Sequence, residues 1–403
     1  MLSNKHPFLT AISLALGSAI ALGLGRFSYG LLLPLMREDL QWSYLLAGAM
    51  NTANAIGYLL GALSSPSLMR KLSVNRFFVY ACLLTAFFLF LSGLADQAAY
   101  LFLIRILAGI TSAWIFVAGG VLVTQLASMH IQRSGLLLGI FYAGPGLGIV
   151  FSSLIVPFVN QWGVNNHANH VWQLSWYALG VACLIFTIFL IKPVYSIPSI
   201  PPKSVGHSGT PISSYSAALA AYFMFGVGYI GYMTFVVALL KQMGLDTMTL
   251  NVFYATLGLA VMASSRLWAR MLDYFQGGQS LAILNTLLGI SCLIPAVLAI
   301  HGAQMSSISI LAVFFSGILF GGVFLSAVAS TTAFVKHNMP QADWVGGITA
   351  FTSIFAAGQI IGPTIVGWIS DSQGGLAQGL MISGAALIFG GLIATRQSPL
   401  LQK

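Results

Sequence analysis

The sequence predicts an all-α membrane protein of twelve transmembrane helices in two pseudo-symmetric six-helix bundles, and three observations carry that expectation. Hydrophobic residues make up 58% of the 403-residue chain and charged residues only 6%, whereas soluble domains carry about 25% charge. So few charges cannot solvate a soluble surface. Apolar runs long enough for a helix to cross the hydrocarbon core, about 20 residues each, follow one another along the chain. The pattern of the first half also recurs in the second.

Each run is bounded where charged, Pro, Gly or Asn clusters interrupt it. The first, 8–36, ends at Arg37-Glu38-Asp39 and has no small-residue cleavage site, so it is expected to stay as a membrane helix and not to be removed as a signal peptide. The second, 44–64, stops before Pro66 and the Arg70-Lys71 pair, and the third, 75–95, stops before Asp96. Runs 99–124, 134–159 and 172–191 complete the first six, the last ending at Lys192-Pro193. After a polar stretch come 215–241, closed by Lys241, and 248–270, closed by Arg270. Runs 279–300, 307–333, 344–370 and 376–395 follow, the last two separated at Asp371.

The stretch 192–214 holds Lys203 and five prolines from Pro193 to Pro211, a composition that suits an extended linker. It divides the chain into a six-helix bundle at 1–191, a cytoplasmic linker at 192–214 and a second bundle at 215–403. With both termini placed in the cytoplasm, twelve of the sixteen Lys and Arg residues fall on the inner side: Lys5, Arg70, Lys71, Arg76, Arg133, Lys192, Lys203, Arg266, Arg270, Lys336, Arg396 and Lys403. Arg37 and Lys241 fall outside, and Arg26 and Arg105 lie within helices. Cytoplasmic loops of membrane proteins collect positive charge, so this asymmetry fixes the expected orientation in the cell inner (plasma) membrane. It also accounts for the formal charge of +9 without a nucleic-acid partner.

The repeat is visible in two places. Gly23-Leu-Gly25-Arg26-Phe-Ser-Tyr29 in the first helix reads like Gly226-Val-Gly228-Tyr229-Ile-Gly-Tyr232 in the seventh, and Gly144-Pro145 in the fifth matches Gly362-Pro363 in the eleventh. Two pairs in the same order, on helices of the same number in each half, point to duplicated halves of the kind from which many transporters are built. Gly144, Pro145 and Gly148, with Gly358, Gly362, Pro363 and Gly367, remove side chains where helices meet and a backbone donor at each proline. Close packing and a kink are expected there, which makes these helices conformational elements.

Arg26 and Arg105 carry the chemistry, because an ionised side chain inside the bilayer costs about 2.5–3.5 kcal/mol even on the insertion scale. No Asp or Glu lies deep in a helix to neutralise them. Backbone carbonyls, tyrosine and asparagine oxygens, water or an anionic solute must do so. Arg26 either contacts a solute or ties the first helix to a neighbour. Arg105, near the outer end of the fourth helix and followed by Gly109, suits packing or gating. Arg26 and Tyr29 share a helix face, as do Asn51, Asn54 and Tyr58 on the second helix. Such polar stripes line a cavity or hydrogen-bond between helices. Tyr229 and Tyr232 inherit the cavity expectation by symmetry.

Other chemistry finds little support. Cys82, Cys183 and Cys292 each sit in mid-run, which argues against disulfides or a metal cluster. His167 and His170 share an outer loop without an acidic or thiolate partner deep in the fold, so no metal is expected. His130 and His337 occupy corresponding inner loops. The chain contains no phosphate-binding Gly-x4-Gly-Lys-Ser/Thr loop, no clustered catalytic residues and no sign of a cofactor, so an enzyme is not expected.

With the repeat, the basic linker and the Gly-Pro helices, the chain resembles the major facilitator superfamily along nearly its full length, and more closely its YbfB/YjiJ branch. The carrying residues are Gly25-Arg26-Phe27-Ser28-Tyr29, Leu32-Leu33-Pro34-Leu35-Met36, and Asn54-Ala-Ile-Gly57-Tyr58-Leu-Leu-Gly61-Ala62. The resemblance implies that Arg105 with Gly109 corresponds to a fourth-helix arginine motif linked to proton coupling. It likewise implies that Gly144-Pro145 with Gly148 corresponds to the Gly-Pro motif of exporters. Relatives carry an acidic latch in the loop after the second helix, where this chain has Arg70, while the loop after the eighth keeps Asp273 with Gly277. An asymmetric latch is expected.

The expected function is secondary transport of a small organic solute by alternating access. The site would lie between the bundles near mid-membrane, and the protein would work as a monomer in the lipid bilayer with protons as a candidate coupling ion. Two buried cations without a buried carboxylate favour an anionic or zwitterionic solute, and the Gly-Pro motif favours efflux. The alternative is a non-transporting sensor or lipid-handling protein of the same fold.

Overall fold

The computed structural model describes residues 6–198, 210–302, 306–340, 343–372 and 374–400. Lys5, Lys203, Lys403 and the middle of the linker lie outside the described residues. Among the described residues there are twelve long helices and no strand. They are α1 (Pro7–Asp39), α2 (Tyr44–Lys71), α3 (Val74–Ser92), α4 (Ala98–Met129), α5 (Ser134–Asn165), α6 (Val171–Tyr195), α7 (Ser216–Gln242), α8 (Thr247–Leu267), α9 (Gln279–Ile300), α10 (Ser307–Asn338), α11 (Trp344–Ser370) and α12 (Gly375–Ala394).

Among the described residues, eleven of these helices are long and apolar enough to cross a membrane. The remaining one, α2, has the length, 28 residues, but Asn51, Thr52, Asn54 and its serine-rich end dilute its hydropathy. It also runs on through Pro66 to Lys71, beyond the expected end at 64, because membrane helices tolerate a proline where neighbours satisfy the freed carbonyl. The eighth run breaks earlier than expected. Helix α8 stops at Leu267, Trp268 leaves helical geometry, and a short helix, Ala269–Tyr274, carries Asp273. The Trp268 indole donates to the Gly322 carbonyl at 2.8 Å, which holds the break in place.

Polar residues set several helix starts. Ser73 and Ser306 accept the backbone N–H groups of Arg76 and Ser309 at α3 and α10, each satisfying an otherwise orphaned donor. Before α8, the Thr249 hydroxyl and N–H donate to Asp246 at 2.6 and 3.1 Å. These bonds hold its carboxyl below the usual carboxylate range. Helix α1 is unusual in its middle, where Ala19–Phe27 is π-helical and the Ser28 N–H reaches back five residues to Gly23.

The chain forms two compact units. The first gathers α1, α2 from Ala49, α3–α6 and the segment Asp246–Met262; the second gathers Ser43–Gly48, α7, the remainder of α8 and α9–α12. In the first unit α1 packs on α4, α5 and α6, α3 on α4 and α6, and α5 on α6. In the second, α7 packs on α10, α11 and α12, α9 on α10 and α12, and α11 on α12, so each pairing recurs with helix numbers raised by six. The Gly-rich pairs enforce the recurrence. A Cβ on Gly144 would lie 2.3 Å from the Ala15 carbonyl oxygen, and one on Gly362 would lie 2.5 Å from that of Val227.

Candidate functional site

In the first unit the polar stripes of α1 and α2 meet the fourth helix. Arg105 is fully buried. Its Nη1 donates to the Gly25 carbonyl at 3.0 Å and its Nη2 to Asn51 Oδ1 at 3.4 Å. The guanidinium lies 5.0 Å from the Tyr29 ring centre and 5.6 Å from that of Trp176, so ring faces cover a cation that no carboxylate reaches. The Gly25 carbonyl belongs to the π-helical segment, whose altered register turns backbone groups out of the i→i−4 ladder. Asn54 Nδ2 donates to the Arg105 carbonyl at 3.2 Å. A Cβ on Gly109 would sit 2.1 Å from the Asn54 carbonyl oxygen, so glycine is what lets α4 approach α2 closely enough for these bonds.

Arg26 lies one residue beyond that carbonyl. It is 2% exposed, and its guanidinium stands 5.5 Å from the ring centre of Tyr58, which is half-buried on α2. Arg26, Tyr29, Asn51, Asn54, Tyr58 and Arg105 therefore form one cluster. All seven carboxylates of the chain stand at helix ends, in connections or in the short helix after α8. The cluster is thus a cationic and aromatic set with amide groups, chemistry that can hold an anion by charge-assisted hydrogen bonds.

In the second unit, Tyr229 and Tyr232 belong to an aromatic column. Tyr222, Phe225, Tyr229 and Tyr232 recur at three- and four-residue steps along one face of α7. Phe225 stacks on Tyr229 at 5.0 Å, Tyr229 on Phe324 at 5.0 Å, and Tyr232 on Phe320 at 4.1 Å. The Tyr232 hydroxyl is 2.7 Å from Ser316 Oγ.

The conformational candidates lie at helix contacts. A Cβ on Gly148 would stand 2.6 Å from the Ala19 carbonyl oxygen, and the Pro145 carbonyl approaches Gly23. In the second unit the Pro363 carbonyl oxygen would be 2.2 Å from a Cβ on Gly48. Asp273 is exposed, with no hydrogen bond or ion pair among the described residues. His170 Nδ1 and the Trp172 indole converge on Asp39 at 2.6 and 2.5 Å, and no group of three metal-ligating side chains occurs among the described residues. The three cysteines are buried and unpaired.

Sequence reasoning missed Trp176, the π segment, the aromatic column and the Asp39 contacts. The column has a sequence signal, the 3-4-3 spacing of rings on α7. The others have none: Trp176 and the Asp39 contacts join residues far apart in the chain, and the π segment, though local, leaves no mark on residue identity.

A family described as "Uncharacterised MFS-type transporter YbfB" matches residues 18–395. No curated protein matches the sequence significantly. Among solved structures, the fold is similar to that of nucleoside transporter NupG, with a TM-score of 0.65, 16% identity and coverage of 98% of this chain and 99% of that one. It is similar to a bacterial homolog of the human lysosomal transporter Spinster, inward-facing and occupied, with a TM-score of 0.67, 14% identity and coverage of 97% and 96%. It is also similar to tetrameric PepTSo2, with a TM-score of 0.67, 13% identity and coverage of 98% and 96%. At these identities the likeness shows the fold.

Proposed function

We propose, from the premise that the chain belongs to the YbfB family of major facilitator transporters, that it moves a small organic anion or zwitterion by alternating access and that Arg26 meets the solute. One observation carries this reading: two arginines are buried in the first unit, and every carboxylate of the chain lies outside the long apolar stretches. Arg105 is engaged by the Gly25 carbonyl, Asn51 and two ring faces, which suits a positioning role. Arg26 stands over the ring of a half-buried tyrosine in a locally rewound helix, a buried cation that a solute carboxylate can meet by charge-assisted hydrogen bonds.

The domains divide at the 192–214 linker and the protein works as a monomer in the inner membrane, with both termini cytoplasmic, an orientation that the basic residues of the connections support. The Gly-Pro contacts of α5 and α11 act as the flexing elements and favour efflux. Any proton coupling runs through Arg105, a histidine or the solute itself, because no Asp or Glu lies deep in a helix.

The test is thermal stability of the detergent-purified protein against a metabolite library at two pH values, for wild type and Arg26→Ala. A ligand of the folded form stabilises it by about 2.7 kcal/mol at a hundred times its Kd. Acidic metabolites should raise the melting temperature of wild type and leave the variant unchanged. Stabilisation by lipophilic cations in both proteins, with none by carboxylates, would sink the anion reading. Stabilisation by lipids alone would favour a lipid-handling role.

A further inference from the structure

A cavity of about 510 Å³ opens on the flank of the first unit, away from the arginine cluster, lined by Leu68 and Leu72 of α2, Phe77, Tyr80 and Leu84 of α3, and Trp114 of α4 among others. Its mouth is exposed: Tyr80 is 50%, Leu72 40% and Leu84 38% accessible. The floor is fixed. Phe77 is buried and packs on Trp114 with ring centres 5.5 Å apart, and the Trp114 indole N–H is already given to Ser64 Oγ at 2.9 Å. A polar occupant would lose its water and find almost nothing to bond, so the group that fills the cavity is hydrocarbon.

Charge names the rest of the occupant. The cavity ends at the α2–α3 turn, where Arg70 and Lys71 close α2 and Arg76 opens α3, all three exposed. Arg76 precedes Tyr80 by one turn and shares its face. No Asp or Glu occurs between Asp39 and Asp96, so these three cations have no acidic neighbour in α2, α3 or their turn. Basic residues beside a membrane span attract anionic headgroups, and an apolar slot next to them suits the attached chain.

We propose that this groove is a binding site for an anionic glycerophospholipid. One acyl chain lies against Trp114 and Phe77, and the phosphate lies on Arg70, Lys71 and Arg76. The lipid comes from the leaflet facing the α2–α3 turn, the cytoplasmic one on the orientation proposed above. Bound there, it joins α2, α3 and α4 and is separate from the transported solute.

Quenching of Trp114 fluorescence by brominated lipid tests this directly. The full chain is reconstituted into phosphatidylcholine vesicles containing a minor share of phosphatidylglycerol, with bromine on the acyl chains of one lipid or the other. The Trp114 signal is taken as the difference between wild type and Trp114→Phe. Brominated phosphatidylglycerol should quench it several-fold more per lipid than brominated phosphatidylcholine. Replacing Arg70, Lys71 and Arg76 together by Gln should level the two, and because these side chains are exposed the variant keeps its fold. Ala81 of α3 also lines the groove, and Ala81→Phe, which fills it, should reduce quenching by both. Equal quenching of wild type by the two lipids overturns the headgroup assignment. Absence of quenching by either overturns the site, and shielding that grows with protein density would instead assign the groove to a second copy of this chain.

Discussion

Arg105 offsets the cost of a buried charge through two donated hydrogen bonds and two ring faces, and the pair of bonds depends on the planar, forked shape of guanidinium. A lysine carries the same charge on a point-like ammonium and cannot span both acceptors. Arg105→Lys should therefore leave the Gly25 carbonyl or Asn51 without a donor, at about 1–3 kcal/mol per buried group, and lower the melting temperature of the detergent-purified protein by several degrees. Arg26→Lys should leave the melting temperature nearly unchanged and weaken stabilisation by acidic metabolites. A reversed pattern, with Arg26→Lys unfolding the protein and Arg105→Lys silent, would exchange the two roles proposed here.

At the scale of elements, the N-terminus of α2 is held by a residue more than three hundred positions away. Asp371, at the end of α11, accepts the N–H groups of Tyr44 and Leu45 at 2.7 and 2.9 Å, one on each carboxylate oxygen. A Cβ on the nearby Gly367 would lie 2.4 Å from the Tyr44 carbonyl oxygen, so the two helix ends are in backbone contact. The carboxylate satisfies two orphaned donors and faces the positive end of the helix dipole. Asp371→Ala should cost about 1 kcal/mol and speed amide exchange in residues 44–48, read by hydrogen-exchange mass spectrometry. Unchanged exchange there would show that the glycine contact alone holds the helix end.

For the whole molecule, the basic connections predict sidedness. Because the native cysteines are buried, a single cysteine introduced at an exposed position reports its own side. A membrane-impermeant maleimide should label Lys71→Cys in inside-out vesicles and Asp96→Cys in right-side-out vesicles. The opposite labelling would invert the proposed orientation, and with it the leaflet assigned to the lipid groove.

Composition and run length determined the helical class and the succession of spans, because a helix satisfies its own backbone and needs only local sequence to do so. The repeat was legible for the same reason: Gly-Pro pairs and the Arg26 stripe are local signatures, and the matching helix pairings in the two units carry the repeat into the packing. The two arginines stood out as charges in apolar runs, and the Asn51, Asn54 and Tyr58 face followed from helical spacing. What meets each arginine was decided by tertiary structure. Arg105 finds its acceptors 80 and 54 residues away, and one of them is a backbone carbonyl in a π segment, which leaves no mark on residue identity. The aromatic cover from Trp176, the convergence of His170 and Trp172 on Asp39 and the shape of the groove beside Trp114 likewise arise where separate helices pack. There the distances are set by neighbouring backbones and not by any local run of sequence.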